Sequence, residues 1–289
     1  KIKIIGGKQL NGKIYISGAK NAALPLICAS LLTDETVTLT NMPMLSDIKA
    51  MNALLTQLGT QIDEFDDFID DHNTKTYSYR TPKLTSLVAP YDYVRKMRAS
   101  YYVLGPLLAR ERHIELSLPG GCAIGARPMD IHLSALEQMG AKIEIKNGYV
   151  FADAEDGLKG AHIIFRIASV GATCNILMAA VLAQGTTKIE NAAKEPEIGD
   201  LIDLLNSMGA KISGKDTSIL TIEGVKKLHG ARHKVIADRI EAGSYAVAAA
   251  ITRGRIELIN ASASTLQTPL TILKNMGVKV EEKEKSIII

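Results

Sequence analysis

The sequence predicts an α/β protein in which one unit of helix, strand, helix, strand and strand is repeated along the chain. Three observations favour this class: four amphipathic helices end at glycine, a strand-like run follows each of them, and a helix rich in small residues precedes each of them. The 289 residues allow about two domains with a sizeable core. With 46% hydrophobic and 22% charged residues, the composition excludes a disordered chain.

The amphipathic helices set the interval of the repeat. Their apolar residues recur at helical spacing, and each helix ends in Leu-Gly or Met-Gly, where glycine adopts the left-handed conformation that closes a helix. The closing glycines are Gly59, Gly140, Gly209 and Gly277. The intervals between them are 81, 69 and 68 residues. The predicted unit therefore has about 70 residues, and four units fit in the chain.

The segments on either side of each amphipathic helix complete the unit. After the glycines come TQIDEF, AKIEIKN, AKISGK and VKVEEK, which alternate or carry β-branched residues and therefore predict strands. Before the amphipathic helices come AKNAALPLICASLL, RASYYVLGPLLAR, GATCNILMAAVLAQG and EAGSYAVAAAITRG, each followed by a strand. These small-residue helices are apolar nearly all round, so we expect them inside the molecule with the amphipathic helices on the flanks.

Charge, hydropathy and cysteine content limit the classes of function. Lys and Arg exceed Asp and Glu by 34 to 31, which is too small an excess to indicate nucleic-acid binding. No apolar run has the length of a membrane span, and the opening KIKII lacks the features of a signal peptide. The three cysteines have no metal-ligand spacing. We therefore expect a cytoplasmic protein that binds no metal, nucleic acid or membrane.

Cations recur at equivalent places in the repeat. Lys20 in SGAKNAA and Arg98 in KMRAS lie at the first turn of a small-residue helix, and Arg239 in DRIEAG lies just ahead of another. Helix N-termini carry partial positive charge and exposed N–H groups. Because equivalent helix starts should converge in a repeat, we expect these cations to form an anion site.

The segment Pro119–Pro128 predicts a functional thiol. It holds three glycines between two prolines, with Cys122 at its tip and Arg127 beside it. A nearby guanidinium favours the thiolate or tunes the thiol as a proton donor. Cys28 and Cys174 lie inside apolar helical runs, so we expect them to be inert core residues.

Six segments, in their order along the whole chain, resemble the UDP-N-acetylglucosamine enolpyruvyl transferase family. They are SGAKNAALP, MRAS, LPGGCAIGARPMDIH, SVGAT, ENAAKEPEI and DRIEAG. The resemblance implies an inside-out α/β barrel of the EPSP synthase type, with two three-unit domains around a cleft. We expect a first domain at 20–228 that carries the Cys122 segment. A second, at 1–19 plus 229–289, would be incomplete at its C-terminus.

The resemblance also implies an activity. The family transfers the enolpyruvyl group of phosphoenolpyruvate to the 3-hydroxyl of UDP-N-acetylglucosamine, by addition and then elimination of phosphate, in the first committed step of peptidoglycan synthesis. It implies no cofactor, these two small molecules as partners, and a monomer. The family's aspartate base and further arginines belong to later units, so we expect the chain alone to turn over slowly or not at all. Two alternatives stay open: enolpyruvylshikimate phosphate synthase, disfavoured by the Cys122 segment, and a non-catalytic UDP-sugar-binding remnant.

Residue roles follow from the same resemblance. Cys122 would be the general acid and would form a covalent adduct with phosphoenolpyruvate. Phosphoenolpyruvate would be held by Lys20, Asn21 and Arg127. The UDP-N-acetylglucosamine site would comprise Arg98, Arg127, Pro128, Met129, Asp130, Ile131, Ser169, Val170 and Gly171. Arg239 and Glu241 would act in domain closure. Ile167 stands where the family often has a lysine, and Arg166 beside it is the candidate substitute.

Overall fold

The repeat and the α/β class are both confirmed. The computed structural model describes residues 3, 5–69, 72–95, 97–118 and 129–289, with residues 68, 69, 72, 73 and 98 described by their backbone alone. In each unit a helix and a strand are followed by a second helix and a two-stranded hairpin. No helix in these ranges is long and apolar enough to cross a membrane.

The first two units follow the predicted order. The first unit and the strand before it are β1 (Asn11–Tyr15), α1 (Lys20–Ala29), β2 (Val37–Met42), α2 (Ser46–Leu58), β3 (Gln61–Ile69) and β4 (His72–Arg80). The connection and second unit are β5 (Val88–Ala89), α3 (Tyr91–Val94), a 3-10 helix (Arg98–Val103), α4 (Leu104–Glu111), β6 (His113–Ser117), α5 (Asp130–Gln138), β7 (Lys142–Lys146) and β8 (Tyr149–Asp153). The helix predicted over RASYYVLGPLLAR is thus split into a 3-10 helix and α4.

The last two units repeat the pattern. The third unit and the strand before it are β9 (His162–Ile164), α6 (Val170–Ala180), β10 (Thr186–Glu190), α7 (Pro196–Ser207), β11 (Lys211–Ser213) and β12 (Ile219–Glu223). The fourth unit and the strand before it are β13 (Arg232–Lys234), α8 (Arg239–Ile251), β14 (Arg255–Ile259), α9 (Gln267–Asn275), β15 (Glu281–Glu282) and β16 (Ser286–Ile288).

Each unit builds one mixed four-stranded sheet. The strand orders are β13-β2-β4-β3, β5-β6-β8-β7, β9-β10-β12-β11 and β1-β14-β16-β15. In every sheet the first pair is parallel and the other two pairs are antiparallel. The parallel edge strands β5, β9 and β13 are only two or three residues long, too short to show a period in the sequence. Strand β1 pairs with the fourth unit, whereas β13 pairs with the first, so the chain exchanges edge strands between distant units.

An asparagine clamp recurs at the end of the central strand in three of the units. Asn41, Asn191 and Asn260 have φ of 56, 57 and 65°, a left-handed conformation that asparagine tolerates. Their Nδ2 atoms donate to the carbonyls of Val235, Phe165 and Ile16 at 2.8 to 2.9 Å. In the second unit Leu118 takes this position, directly before the Cys122 segment. The clamp therefore fixes the parallel edge strand in the other three units.

Burial of the small-residue helices differs between units. Residues 22–29 of α1 and 171–180 of α6 are all buried, as expected. The expectation is wrong for α8, in which only Ala242, Ala246 and Ala249 are buried. The cause is enclosure: the first three units share one hydrophobic core around their helices, whereas the buried face of α8 belongs to the smaller second core and its other face carries an exposed apolar stripe.

Two hydrophobic cores are joined by two segments of chain that run side by side. The first core runs from Ala19 to Val235, and the second contains Ile16 and residues between Ala242 and Ile289. Between them the chain passes twice, through residues 16–20 and 235–239, which we call the crossing. There Gly18 bridges Ala237 in antiparallel fashion, and a Cβ at Gly18 would lie 1.8 Å from the Asn41 carbonyl oxygen. Glycine is therefore required at this point.

Candidate functional site

Lys20 begins α1 next to the crossing. Its Nζ lies 3.1 Å from Asp47 Oδ2 on α2, and its side chain is 41% exposed. Its backbone N–H donates to Asp238 Oδ2 at 3.3 Å. Asn21 is exposed beside it. Lys20 thus offers a solvent-accessible ammonium at a helix start, as the sequence predicted.

Asp238 joins the starts of two helices. Its Oδ1 accepts from the backbone N–H groups of Ile240 at 2.8 Å and Glu241 at 3.0 Å, which caps α8. Its Oδ2 is the acceptor for Lys20 N–H, so the same carboxylate also binds the start of α1. Asp238 was not among the residues predicted for the site, although an aspartate immediately before a helix is the usual signal for an N-cap.

Arg239 links the second core to the first. Its Nε donates to Glu197 Oε1 at 3.0 Å and its second guanidinium nitrogen to Oε2 at 3.4 Å. Glu197 lies in the first turn of α7 and is 3% exposed, so the bidentate pair is largely desolvated on the carboxylate side. Nothing in the sequence indicated this pair, because its two partners are 42 residues apart along the chain.

Glu241 is held by the crossing. Its Oε2 accepts from Ser17 N at 3.0 Å and from Ser17 Oγ at 2.6 Å. The backbone of the crossing reinforces this contact, because Asp238 N donates to the Ser17 carbonyl at 2.8 Å. The two residues expected to act in domain closure, Arg239 and Glu241, therefore both make side-chain contacts where the two cores connect.

The start of α6 lies beside the start of α7. Ser169 caps α6 by accepting from Ala172 N at 3.3 Å. Thr173 Oγ1 donates to the Ser169 carbonyl at 2.8 Å and accepts from Ala193 N, just before α7, at 3.1 Å. The turn Ser169–Gly171 thus presents helix N–H groups, a geometry suited to a phosphate group.

The start of α5 packs against the same turn. A Cβ at Gly171 would lie 2.6 Å from Tyr101 Oη and 3.1 Å from His132 Cε1, so only glycine fits there. Arg166 donates to Asp130 Oδ2 at 2.5 Å, and both side chains are more than half exposed. Met129 is buried, whereas Ile131 is partly buried.

These contacts form a continuous series, which we call the helix-start row. It runs from Lys20 through Asp238 and Arg239 to Glu197, then along the chain to Ala193, whose N–H donates to Thr173 at the start of α6. From Ser169–Gly171 it continues to the start of α5, where His132 lies against Gly171 and Arg166 pairs with Asp130. Residues expected in the phosphoenolpyruvate and nucleotide-sugar sites are thereby brought to one end of the helices. A cavity of about 860 Å³ opens beside Arg239, lined also by Lys194 and Pro196.

Some predicted residues cannot be placed in the row. Cys122, Arg127 and Pro128 lie outside the described residues, and Arg98 is described only as the backbone start of the 3-10 helix. Across the described ranges, no group of three or more His, Cys, Asp or Glu side chains could hold a metal ion.

The cysteines of the apolar helices are buried. Burial raises the pKa of both the Cys28 and Cys174 thiols well above the ordinary range. A buried neutral thiol is a poor nucleophile, so both residues are core packing, as the sequence predicted.

Similar proteins identify the family. The family model described as EPSP synthase (3-phosphoshikimate 1-carboxyvinyltransferase) matches residues 4–289. The chain is 54% identical, over all its 289 residues, to a protein of Caulobacter vibrioides strain NA1000 named UDP-N-acetylglucosamine 1-carboxyvinyltransferase, of which it covers 66%. A Bartonella quintana protein of the same name is 53% identical over 99% of the chain, which covers 67% of that protein. The chain therefore spans about two thirds of the length of these relatives.

Solved structures agree on the fold. The enolpyruvyl transferase NikO from Streptomyces tendae superposes with a TM-score of 0.82 at 20% identity, with 98% of this chain and 66% of that one covered. EPSP synthase from Acinetobacter baumannii gives a TM-score of 0.76 at 21% identity, with 98% and 65% covered. At these identities the likeness concerns the fold alone. The family model, which matches residues 4–289, shows that the chain belongs to the EPSP synthase family.

Proposed function

We propose that this chain carries the UDP-N-acetylglucosamine site and phosphoenolpyruvate-binding residues of a UDP-N-acetylglucosamine 1-carboxyvinyltransferase. The observation that carries the proposal is the helix-start row, which gathers Lys20, Ser169–Gly171 and Asp130 at one end of the helices. Relatives that are more than half identical and bear this name support the choice of substrates.

The proposed chemistry is an addition followed by an elimination. The 3-hydroxyl would give its proton to the aspartate base that the resemblance assigns to later units of the family, and its oxygen would bond to C2 of phosphoenolpyruvate while Cys122 donates a proton to C3 and becomes a thiolate. The resulting ketal would then lose phosphate as its C2–O bond breaks, and a proton would return from C3 to the Cys122 thiolate, which restores the double bond. The Lys20 ammonium and Arg127 would stabilise the phosphate and carboxylate charges that develop in the ketal.

Each helix start in the helix-start row would bind a different part of the two substrates. Phosphoenolpyruvate would lie at Lys20, Asn21 and Arg127, and the diphosphate at the Ser169–Gly171 turn. The uridine would contact residues 127–131, with Arg98 also contacting the nucleotide sugar. Arg166 lies three residues before Ser169 and is more than half exposed, so it would take the place of the family's lysine at the diphosphate.

We also propose two domains that meet at the crossing. The boundaries expected from the sequence, residues 20 and 228, would assign β13 to the second domain, yet β13 pairs with β2 beside the first core. A second boundary near Ile236 keeps that sheet intact. The exposed apolar stripe of α8, formed by Ile240, Val247 and Ile251, supports a second domain that needs further units to cover it.

Binding, rather than turnover, tests the substrate assignment, because the chain spans about two thirds of its relatives. Titration calorimetry should detect UDP-N-acetylglucosamine binding and no binding of shikimate 3-phosphate. The opposite selectivity would favour the EPSP synthase alternative and overturn the proposal. As a matched pair, Ser169→Ala should weaken UDP-N-acetylglucosamine binding, whereas Ser207→Ala, at the far end of α7, should leave it unchanged.

Cysteine chemistry separates the enzyme from a non-catalytic binder. In the folded protein we expect a maleimide to label Cys122 alone, because Cys28 and Cys174 are buried with raised pKa values. Incubation with UDP-N-acetylglucosamine and phosphoenolpyruvate should add the mass of phosphoenolpyruvate at Cys122, detected by intact mass spectrometry. A Cys122→Ser variant should show neither product. Nucleotide-sugar binding without any adduct on the wild type would favour the non-catalytic remnant.

A further inference from the structure

Asn175 is a fully buried amide in the middle of the apolar helix α6. Its Oδ1 accepts from Gly105 N on α4 at 2.9 Å, which fixes the orientation of the amide. Its Nδ2 donates to the Tyr101 carbonyl at 3.1 Å and lies 3.0 Å from His132 Nδ1 on α5. Because an amide nitrogen only donates, Nδ1 is the acceptor, and the neutral imidazole carries its proton on Nε2.

The repeat itself does not require an amide here. Counting back 16 residues from the clamp position of each unit, as Asn175 lies before Asn191, the equivalent positions are Pro25, Tyr102 and Ser244. A buried amide costs free energy unless its hydrogen bonds are satisfied, and an apolar residue would pack with no such demand. Asn175 therefore has a role particular to the third unit.

The elements that Asn175 joins are those that carry the proposed nucleotide-sugar site. His132 follows Ile131 directly on α5, and Asn175 lies one turn after Gly171 on α6. The His132 ring also packs edge-on against Tyr101, with ring centroids 4.9 Å apart at 72°. Both rings lie so close to Gly171 that a Cβ there would clash with them. The amide and imidazole thus lie immediately behind the two segments that would bind uridine and diphosphate.

We propose that Asn175, acting through His132, is a positioning residue that sets the spacing between the Met129–Ile131 and Ser169–Gly171 segments. This inference rests on the proposed function, because a nucleoside diphosphate is the ligand class that spans both segments. Asn175 does not itself touch the ligand. Its loss should therefore weaken ligands that reach both segments and spare those that reach only one.

The experiment compares two Asn175 variants with a matched control. Asn175→Leu removes all three bonds, and Asn175→Asp keeps the acceptor for Gly105 N while it removes the N–H donors. The control is Asn206→Leu, since Asn206 Nδ2 and Oδ1 also bond backbone atoms, those of Ile212, at 3.1 and 2.9 Å. Calorimetry with UDP-N-acetylglucosamine and with UDP, and ligand-observed NMR with uridine, report the dissociation constants.

We expect both Asn175 variants to weaken UDP-N-acetylglucosamine and UDP by about tenfold, which corresponds to the loss of one or two buried hydrogen bonds. Uridine should change by less than about twofold, as should every ligand in the control. Equal weakening of uridine and UDP, or no change in either, would overturn the proposal. So would failure of both Asn175 variants to fold while Asn206→Leu folds, because the amide would then be structural. Absence of UDP-N-acetylglucosamine binding in the wild type would instead reject the proposed function.

Discussion

Helices α6 and α8 occupy the same place in their units and have similar small-residue sequences, yet they differ in burial. All residues 171–180 of α6 are buried, whereas α8 buries only one face. At equivalent positions, Met178 is 0% exposed and Val247 is 52% exposed. The difference shows that a small-residue composition permits close packing, while the number of units around the helix decides whether packing occurs.

The largest effect should come from truncation at those equivalent positions. Met178→Ala leaves a cavity in the first core, so we expect the free energy of unfolding to fall by about 2–5 kcal/mol. Val247→Ala removes exposed atoms and should change it by less than about 0.5 kcal/mol. Urea denaturation of both variants measures the contrast. Similar losses in the two would mean that α8 is covered in solution.

Ion pairs provide a second contrast, between the crossing and the edge of the first core. Arg239→Met leaves the Glu197 carboxylate buried without its cation, and we expect a loss of about 1–3 kcal/mol. Arg166→Met breaks an exposed pair and should cost about 0–1 kcal/mol. Denaturation at two salt concentrations distinguishes the two losses of stability, because salt strongly screens only the exposed ion pair. A larger loss for Arg166→Met would contradict the burial of Glu197.

Removing an asparagine clamp should lower the free energy of unfolding by a smaller amount, and each clamp should affect a different part of the molecule. Glycine keeps the left-handed backbone and removes the side-chain hydrogen bond, so Asn191→Gly and Asn260→Gly should each cost about 0.5–1.5 kcal/mol. Amide hydrogen exchange distinguishes them. Asn260→Gly should speed exchange at the crossing, near Ile16, whereas Asn191→Gly should act near Phe165. Identical exchange patterns would argue against local clamps.

The smallest effect concerns a surface carboxylate beside the second core. The Ser286 hydroxyl, followed by Lys13 and Lys283, lowers the pKa of Glu257 below its ordinary value. A lowered folded-state pKa means that the stabilisation is present above the ordinary glutamate pKa and is lost as the pH falls through the folded value. Glu257→Gln should therefore lower Tm slightly at about pH 7 and not at about pH 2. The exposed Glu284→Gln serves as the control, and a Tm loss that persists in acid would refute the carboxylate's role.

Much of the candidate site followed from local patterns, and the rest depended on contacts that span the chain. Lys20 and Ser169 lie at helix starts, which the sequence marks, and the structure places both in the helix-start row. Asp238 carried a local capping signal that went unused. No local signal in the sequence marks the role of Asn175, because its hydrogen-bond partners lie 43 to 74 residues away along the chain. A single polar residue in an apolar helix does not reveal those partners.

The sequence by itself determined the repeat, the helix ends and the α/β class, because hydrophobic period and glycine conformation act over a few residues. Tertiary structure alone decided that β1 and β13 exchange partners, that Glu197 is buried against Arg239, and that α8 keeps an exposed face. Those features depend on which surfaces meet when the units pack, and a short strand or a single charge carries no local record of its partner.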